Sequence, residues 1–477
     1  MRLLLISPGR EWHKRRPYTL RLPQLALNVV ASLTPARYQI TLVEEDLEDL
    51  DFDQDCDIVG ISAMTANVTR GYEVAAEFRK RGKTVILGGV HPTVLPEEAS
   101  RYADSVVIGE AEDTWPQLLS DFENNRLEKS YRSKNIDVSN FPSPRYDLTP
   151  KRAGGFFDVT PIVTTRGCPY DCEFCGVPEF YGKKLRSLPV ERVVRDIEVS
   201  GGRMFLFMDD NVLARRAYMM ELFKAMKPLK IQWIGQSSIT FVRDTELIRA
   251  AAESGCQGLF FGLESVSTRT RTRMRKTAND LSHDEESIRK VQGEGILFHA
   301  SLVVGFDGED ESIFDDTLEF LMRNRIATAS INVLTPYPGT RVFDQMQAQG
   351  RLLTKDWRYY DHSCVVFRPS PMTPLQLLEG HQRTCLEFYT LSAIARRLNP
   401  AVGHLTYYIL GNLGYRKRVR RDQRNLPNEI RRLQTLEAEA PRLDPEMMPA
   451  TLPERITANR AHTAVWRNAV GAAGAKE

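Results

Sequence analysis

The sequence predicts an α/β protein with two parallel-strand layers in succession. A doubly wound N-terminal sheet leads into a central partial (β/α)6 barrel, and a mainly helical C-terminal region follows. Short runs rich in Val, Ile and Leu alternate with amphipathic helical segments before residue 125, and again from residue 159. A segment with Pro142, Pro144, Pro150, Gly154 and Gly155 separates the two series. The 477 residues, at about 150 per domain, leave room for about three domains.

In the first series, strands are expected at Arg2–Ser7, Gln39–Glu44, Ile58–Ser62, Thr84–Leu87 and Ser105–Ile108. Helical patterns lie between them, as at Arg70–Lys80 and Thr114–Phe122. Five such strands fit a flavodoxin-like (Rossmann-type) sheet over residues 1–125, which takes ligands at the carboxyl ends of its strands. Those ends read Ser7-Pro8-Gly9, Ser62-Ala63-Met64-Thr65, Gly88-Gly89-Val90-His91-Pro92-Thr93 and Gly109-Glu110-Ala111-Glu112. Each turn alone suits an ordinary strand-to-helix connection, whereas four at corresponding positions favour a cofactor crevice.

Residues 126–158 read as a linker. In the second series, over residues 159–340, strands are expected at Pro161–Thr165, Met204–Met208, Gln232–Gly235, Gly258–Phe261, Leu297–Val304 and Ala329–Leu334. Helices fit Val190–Ser200, Arg215–Met226, Asp244–Ser254 and Glu311–Arg323. Six such units make a partial barrel with its site at the strand carboxyl ends. Residues 341–440 read as helical after Trp357, with Pro374 starting a helix that ends near Leu398. Tyr415 to Arg424 reads YRKRVRRDQR. With Tyr407 and Tyr408, this run suits a solvated helix face better than contact with an acidic membrane surface or a phosphorylated substrate. Residues 441–477, rich in Pro, Ala and charge, are expected to be disordered.

Lys+Arg 64 against Asp+Glu 62 leaves a net charge of +2. This balance speaks against a nucleic-acid partner and against an acidic, solvating chain. The N-terminal apolar run precedes its basic run, the reverse of a secretory signal, and no stretch approaches the ~20 apolar residues of a transmembrane segment. A soluble, cytoplasmic protein is expected.

Seven cysteines are too few and too uneven for a disulfide framework, yet three fall in Cys168-Pro-Tyr-Asp-Cys172-Glu-Phe-Cys175. Cys56, Cys256, Cys364 and Cys385 read as small apolar core residues. Three thiolates on one loop after a strand suit a soft metal centre. Structural zinc is the alternative, but it takes four ligands, and His283 and His299 lie far along the chain. On a [4Fe-4S] cube, three cysteines leave one iron open to a chelating substrate.

The run Cys168-x-x-x-Cys172-x-Phe174-Cys175 resembles the radical S-adenosylmethionine superfamily. The resemblance implies that the open iron holds the amino and carboxylate groups of S-adenosylmethionine, whose reductive cleavage gives a 5′-deoxyadenosyl radical. It also implies cofactor contacts from Phe174, from Asp209 and Asp210 after the second strand, and from Gln236 after the third. Glu264 and Ser265 after the fourth strand and Gly305 after the fifth complete the set. Asp209 and Asp210 also suit helix N-caps, and Glu264 a surface ion pair. A flavodoxin-like domain ahead of such a barrel resembles the cobalamin-binding subfamily. That likeness implies cobalamin contacts from Ser62, Met64, Thr65, Gly88, Gly89, His91, Gly109 and Glu110. The motif Asp-x-His-x-x-Gly is missing after the first strand, so a cobalamin without a histidine lower ligand is expected, with His13 a loop residue. A domain that has lost the cofactor and serves as a lid is the alternative.

These likenesses imply cobalamin-dependent C-methylation of a small-molecule or lipid substrate, with an external electron donor such as flavodoxin or ferredoxin. Ring formation, ring contraction or cyclisation without methyl transfer is a second reading, and a non-enzymatic metal-binding scaffold a third.

Overall fold

The computed structural model describes residues 1–10, 24–134, 137, 142–149, 159–274, 281–399 and 404–439. His13 and the expected disordered segment 441–477 lie outside these residues. The first sheet contains β1 (Arg2–Ser7), β2 (Gln39–Glu44), β3 (Ile58–Ser62), β4 (Thr84–Gly88), β5 (Ser105–Ile108) and β6 (Ser130–Arg132). Its strands run parallel in the order β2-β1-β3-β4-β5-β6, doubly wound with one strand added at the far edge. The sixth strand falls within the stretch expected to be linker. Only three residues long and pairing with β5 alone, it has no hydrophobic periodicity to announce it.

The second sheet contains β7 (Val159–Ile162), β10 (Met204–Phe207), β11 (Gln232–Ser237), β12 (Cys256–Glu264), β13 (Leu297–Val304) and β14 (Thr328–Val333). Its six parallel strands follow the order β14-β13-β12-β11-β10-β7, an open barrel with β14 and β7 at its edges. The run expected as one strand, Pro161–Thr165, is divided. β7 stops at Ile162, and β8 (Thr165–Arg166) pairs antiparallel with β9 (Arg186–Ser187), so that the cysteine loop lies between the arms of a hairpin. The division occurs where Thr164 and Thr165 bond the buried Asp209 carboxylate.

The C-terminal helices cover the open β14 edge. The single helix expected from Pro374 to Leu398 is two, Pro374–Phe388 and Leu391–Arg397, with Thr390 capping the second. The break frees Tyr389, whose hydroxyl accepts from Ala329 N–H (3.0 Å) and donates to Ala329 O (2.6 Å). His381 Nε2 reaches Ile331 O at 2.8 Å, and buried Arg397 donates to the carbonyls of Ile326 and Ala327. These contacts satisfy edge-strand groups that would otherwise invite pairing with another chain.

A 35-residue helix, Leu405–Glu439, then crosses the barrel. Of its buried residues, Tyr408 lies one turn before Asn412, and Asn412, Val419, Leu426 and Leu433 recur every seven positions, a seam like that of a coiled coil. Trp357, Tyr360 and Val366, in the segment before these helices, pack into the first domain's core and tie the two layers together. Cys56, Cys256 and Cys385 are buried, while Cys364 is partly so.

Candidate cofactor sites

Gly167 opens the cysteine loop at φ +86°, where a Cβ would stand 2.7 Å from Lys184 O. Lys183 and Arg341 both bond Asp171, Tyr170 OH meets Thr240 Oγ1 at 2.7 Å, and Phe174 packs on Phe306 with ring centroids 5.7 Å apart. The Cys175 thiol is pushed up to about 12 by burial, then by neighbouring Cys172, Asp210 and Cys168, against an opposing N–H from Val177. Three thiolates gathered here need a cationic centre to ionise together. Among the described residues, no three His, Cys, Asp or Glu side chains converge closely enough to hold a single metal ion. Cys168, Cys172 and Cys175 supply three thiolates from one loop, which matches three corners of an iron–sulfur cube better than the four-ligand set of structural zinc.

The tandem aspartates after β10 part company. Asp209 is fully buried and accepts from Thr164 N (3.0 Å), Thr164 Oγ1 (2.9 Å), Thr165 Oγ1 (2.7 Å) and Thr165 N. Its donors are internal, so it holds the chain ahead of the cysteine loop in place. Asp210 turns the other way, onto the large cavity beside Met208 and Gln236. Burial, then the adjacent Asp209, pushes its carboxyl up to about 6, while the Gly167 N–H opposes the shift. A cationic amino group brought beside it would favour the ionised form.

Glu264 ends β12 at φ +65°, a left-handed conformation that a non-glycine residue adopts at a cost in strain. Ser265 and Gly305 are both engaged by Glu309, which accepts from Ser265 Oγ (2.7 Å), Gly305 N (2.9 Å) and Phe306 N (3.1 Å). Burial pushes Glu309 up to about 7 in spite of these donors. Ser265 and Gly305 are thus placed to shape the strand ends through Glu309, a residue without an expected role.

A cavity of about 1300 Å³ lies between the carboxyl ends of the first sheet and the barrel. Of the residues expected to contact cobalamin, Ser62, Met64, Gly88, Gly89, Gly109 and Glu110 line it. Thr65 and His91 are not among its lining residues. His91 is buried between Thr65 Oγ1 (3.3 Å) and Glu98 Oε1 (3.2 Å), edge-on to Trp357. Among the described residues of the first domain, no histidine reaches the cavity. Gly88 lines the cavity, and a Cβ there would stand 3.6 Å from Val107, an ordinary contact.

Glu110 has a second engagement. Its oxygens accept from Arg166 and Arg186, each at 2.6 Å, and Arg166 also pairs with Glu112 at 2.5 Å. Burial opposes the Arg166 charge, but Glu112 and Glu110 raise its pKa overall. Arg166 lies two residues before Cys168, so this buried network fastens the sheet's ligand-facing loop to the cysteine hairpin. Nothing in the composition distinguished these arginines from surface residues.

The cavity continues through the barrel past Met204, Ile234 and Phe260, and the long C-terminal helix closes its side. Tyr407, Tyr415, Lys417, Arg418, Arg421 and Arg424 all line it. The basic run expected to be a solvated face thus borders the central chamber as well as solvent. The helix's seven-residue seam places one side on the protein, which turns this side toward the chamber.

Residues 162–321 match the family model of the radical SAM superfamily, and residues 18–119 match that of the B12 binding domain. The chain is 32% identical over 386 residues to bacteriochlorophyllide d C-12(1)-methyltransferase of Chlorobaculum tepidum, covering 78% of this chain and 84% of the relative. It is 33% identical over 399 residues to bacteriochlorophyllide d C-8(2)-methyltransferase of the same organism, covering 78% and 87%. In fold it is similar to the radical S-adenosylmethionine methyltransferase TsrM from Kitasatospora setae, solved with cobalamin and a [4Fe-4S] cluster bound. That likeness has a TM-score of 0.62 at 14% identity and covers 88% of this chain and 99% of the other.

Proposed function

The chain belongs to the radical SAM superfamily, in the group that carries a B12-binding domain ahead of the barrel, and from that premise we propose that it is a cobalamin-dependent C-methyltransferase acting on a tetrapyrrole. The observation that carries the reading is the shared chamber: Gly88 and Gly89 of the first sheet and Asp210 and Gln236 of the barrel open onto one cavity. At about 1300 Å³ it exceeds the roughly 300–1,000 Å³ of an ordinary small-molecule site and suits cofactor and substrate together. Both of these relatives are named as methyltransferases of bacteriochlorophyllide d.

When bound, the cluster with S-adenosylmethionine supplies a hydrogen-abstracting radical, and cobalamin supplies the methyl group. The chain's own residues do the rest. Cys168, Cys172 and Cys175 would hold the cluster through their thiolates. Asp210 offers a carboxylate to the amino group of S-adenosylmethionine, and Gln236 adds a polar contact on the same wall. Ser62, Met64, Gly88, Gly89 and Gly109 would form the wall against the cobalamin, and among the described residues of the first domain no histidine lines the cavity. Arg166 and Arg186, gripping Glu110, keep that wall and the cysteine hairpin in register. The apolar lumen around Met204, Ile234 and Phe260 excludes water from the reacting carbon.

An external one-electron donor of the flavodoxin or ferredoxin class completes the system. Among the described residues no helix is long and apolar enough to cross a membrane, and we place the protein in the cytoplasm. Anaerobic reconstitution with iron, sulfide and cobalamin, followed by incubation with S-adenosylmethionine, reductant and bacteriochlorophyllide d, tests the reading. We expect 5′-deoxyadenosine, S-adenosylhomocysteine and a substrate heavier by one methylene, all lost in Cys172→Ala. A product without added carbon overturns methyl transfer, and full activity in Cys172→Ala overturns the cluster assignment.

A further inference from the structure

The C-terminal helix changes chemistry along the side that faces the chamber. Its first turns bring Tyr407, Leu410 and Gly411 against the apolar lumen of Val159, Met204, Ile234, Leu259 and Leu297. Further on, Lys417, Arg418, Arg421 and Arg424 border the same cavity. At about 1.5 Å per residue, Gly411 to Arg424 spans about 20 Å, of which the cations occupy the last ~10 Å. The cavity's carboxylates do not neutralise them. Glu110 and Glu112 are bound to Arg166 and Arg186, Asp210 follows the second barrel strand, and Glu44 and Asp46 stand at the end of β2, Asp46 accepting from Arg10 N–H at 3.2 Å. Asp422, on the helix itself, lies 3.2 Å from Arg421 and 3.7 Å from Arg418. Lys417 and Arg424 have no ion-pair partner among the described residues.

We propose that this cationic ridge is a specificity subsite for the carboxylates of an amphipathic substrate whose apolar body lies in the barrel lumen. The cations are strung along the helix and do not converge on a point, an arrangement that offers a carboxylate at the edge of a large ring a guanidinium fork without requiring the converging donors of a phosphate site. Guanidinium forks pair bidentately with carboxylate, and the half-open wall keeps the exchange of such a ligand reversible. The proposal rests on the substrate-chamber reading above and adds to it which end of the substrate points where.

The test uses the reconstituted holoenzyme and two probes with one ring, protoporphyrin IX and its dimethyl ester, titrated by fluorescence quenching. The free acid is expected to bind about tenfold tighter than the ester, with the difference shrinking as salt is raised. The triple variant Lys417→Gln/Arg421→Gln/Arg424→Gln should abolish that difference, leaving ester affinity and cobalamin content unchanged. Arg421→Lys/Arg424→Lys, which keeps the charge, should retain most of the difference. Binding of neither ring, equal binding of acid and ester, or a triple variant that loses cobalamin but keeps its acid preference overturns the assignment. Methyl transfer to bacteriochlorophyllide d is scored separately, so an enzyme that binds acids on this ridge yet adds no methyl group refutes only the reaction.

Discussion

Two adjacent carboxylates with the same side chain have opposite duties because a strand alternates its faces. Phe205, Phe207 and Asp209 point into the core, all nearly or fully buried, while Met204, Met208 and Asp210 line the chamber. Asp209→Ala leaves the Thr164 and Thr165 donors unpaired in the interior, a loss of about 2–5 kcal/mol that a denaturant titration should show. Asp210→Ala removes a chamber group and should leave the unfolding midpoint nearly unchanged, while equilibrium dialysis shows weakened S-adenosylmethionine binding. The reverse pattern would exchange the two assignments. Family likeness marked both residues as contacts, and period-two alternation was already enough to separate them. His91 was beyond such reasoning: its burial depends on Glu98 and Trp357, the latter 266 positions along the chain, and no local pattern links them.

At the scale of elements, β1, β2, β3, β5 and β13 have the bounds expected of them, and β1, β3 and β5 are buried along nearly their whole length, as central parallel strands are. The elements that were missed have a single buried side or take their order from distant partners. β6 is an edge strand of three residues, and the β8–β9 hairpin is fastened from outside by Glu110 and Glu112. The C-terminal stretch was legible as helical, but its length as one 35-residue helix through Pro427 and its seven-residue seam were not read from the chain. The hairpin clasp has a measurable consequence. Arg166→Ala strands the buried Glu112 and leaves Glu110 with Arg186 alone, at a cost of about 3–5 kcal/mol. Native-state hydrogen exchange should report it as faster exchange confined to the Arg186–Ser187 strand and the cysteine loop, with the cluster bleaching sooner in air. Uniform destabilisation across both sheets would mean that the clasp is no local fastening but part of the global core.

For the whole molecule, the chamber makes the two cofactor domains and the C-terminal helix one functional unit, since none encloses it alone. Radical generation and methyl delivery should therefore be separable by blocking one wall. Gly88 is the position for this, because it lines the cavity and a Cβ there would stand at an ordinary contact distance, 3.6 Å, from Val107. A Cβ on Gly60, one strand over, would instead stand 2.9 Å from the Leu5 side chain and strain the sheet. Gly88→Leu should fold with an unchanged unfolding midpoint and retain its iron, yet lose most of its cobalamin on gel filtration. With S-adenosylmethionine and reductant it should still form 5′-deoxyadenosine, because Cys168, Cys172, Cys175 and Asp210 are untouched. S-adenosylhomocysteine and methylated product should fall together, since both depend on the blocked wall. If methylation survives while cobalamin is lost, methyl delivery does not pass across the first sheet. The domain would then act as a lid on the barrel, with the Arg166 network as its latch.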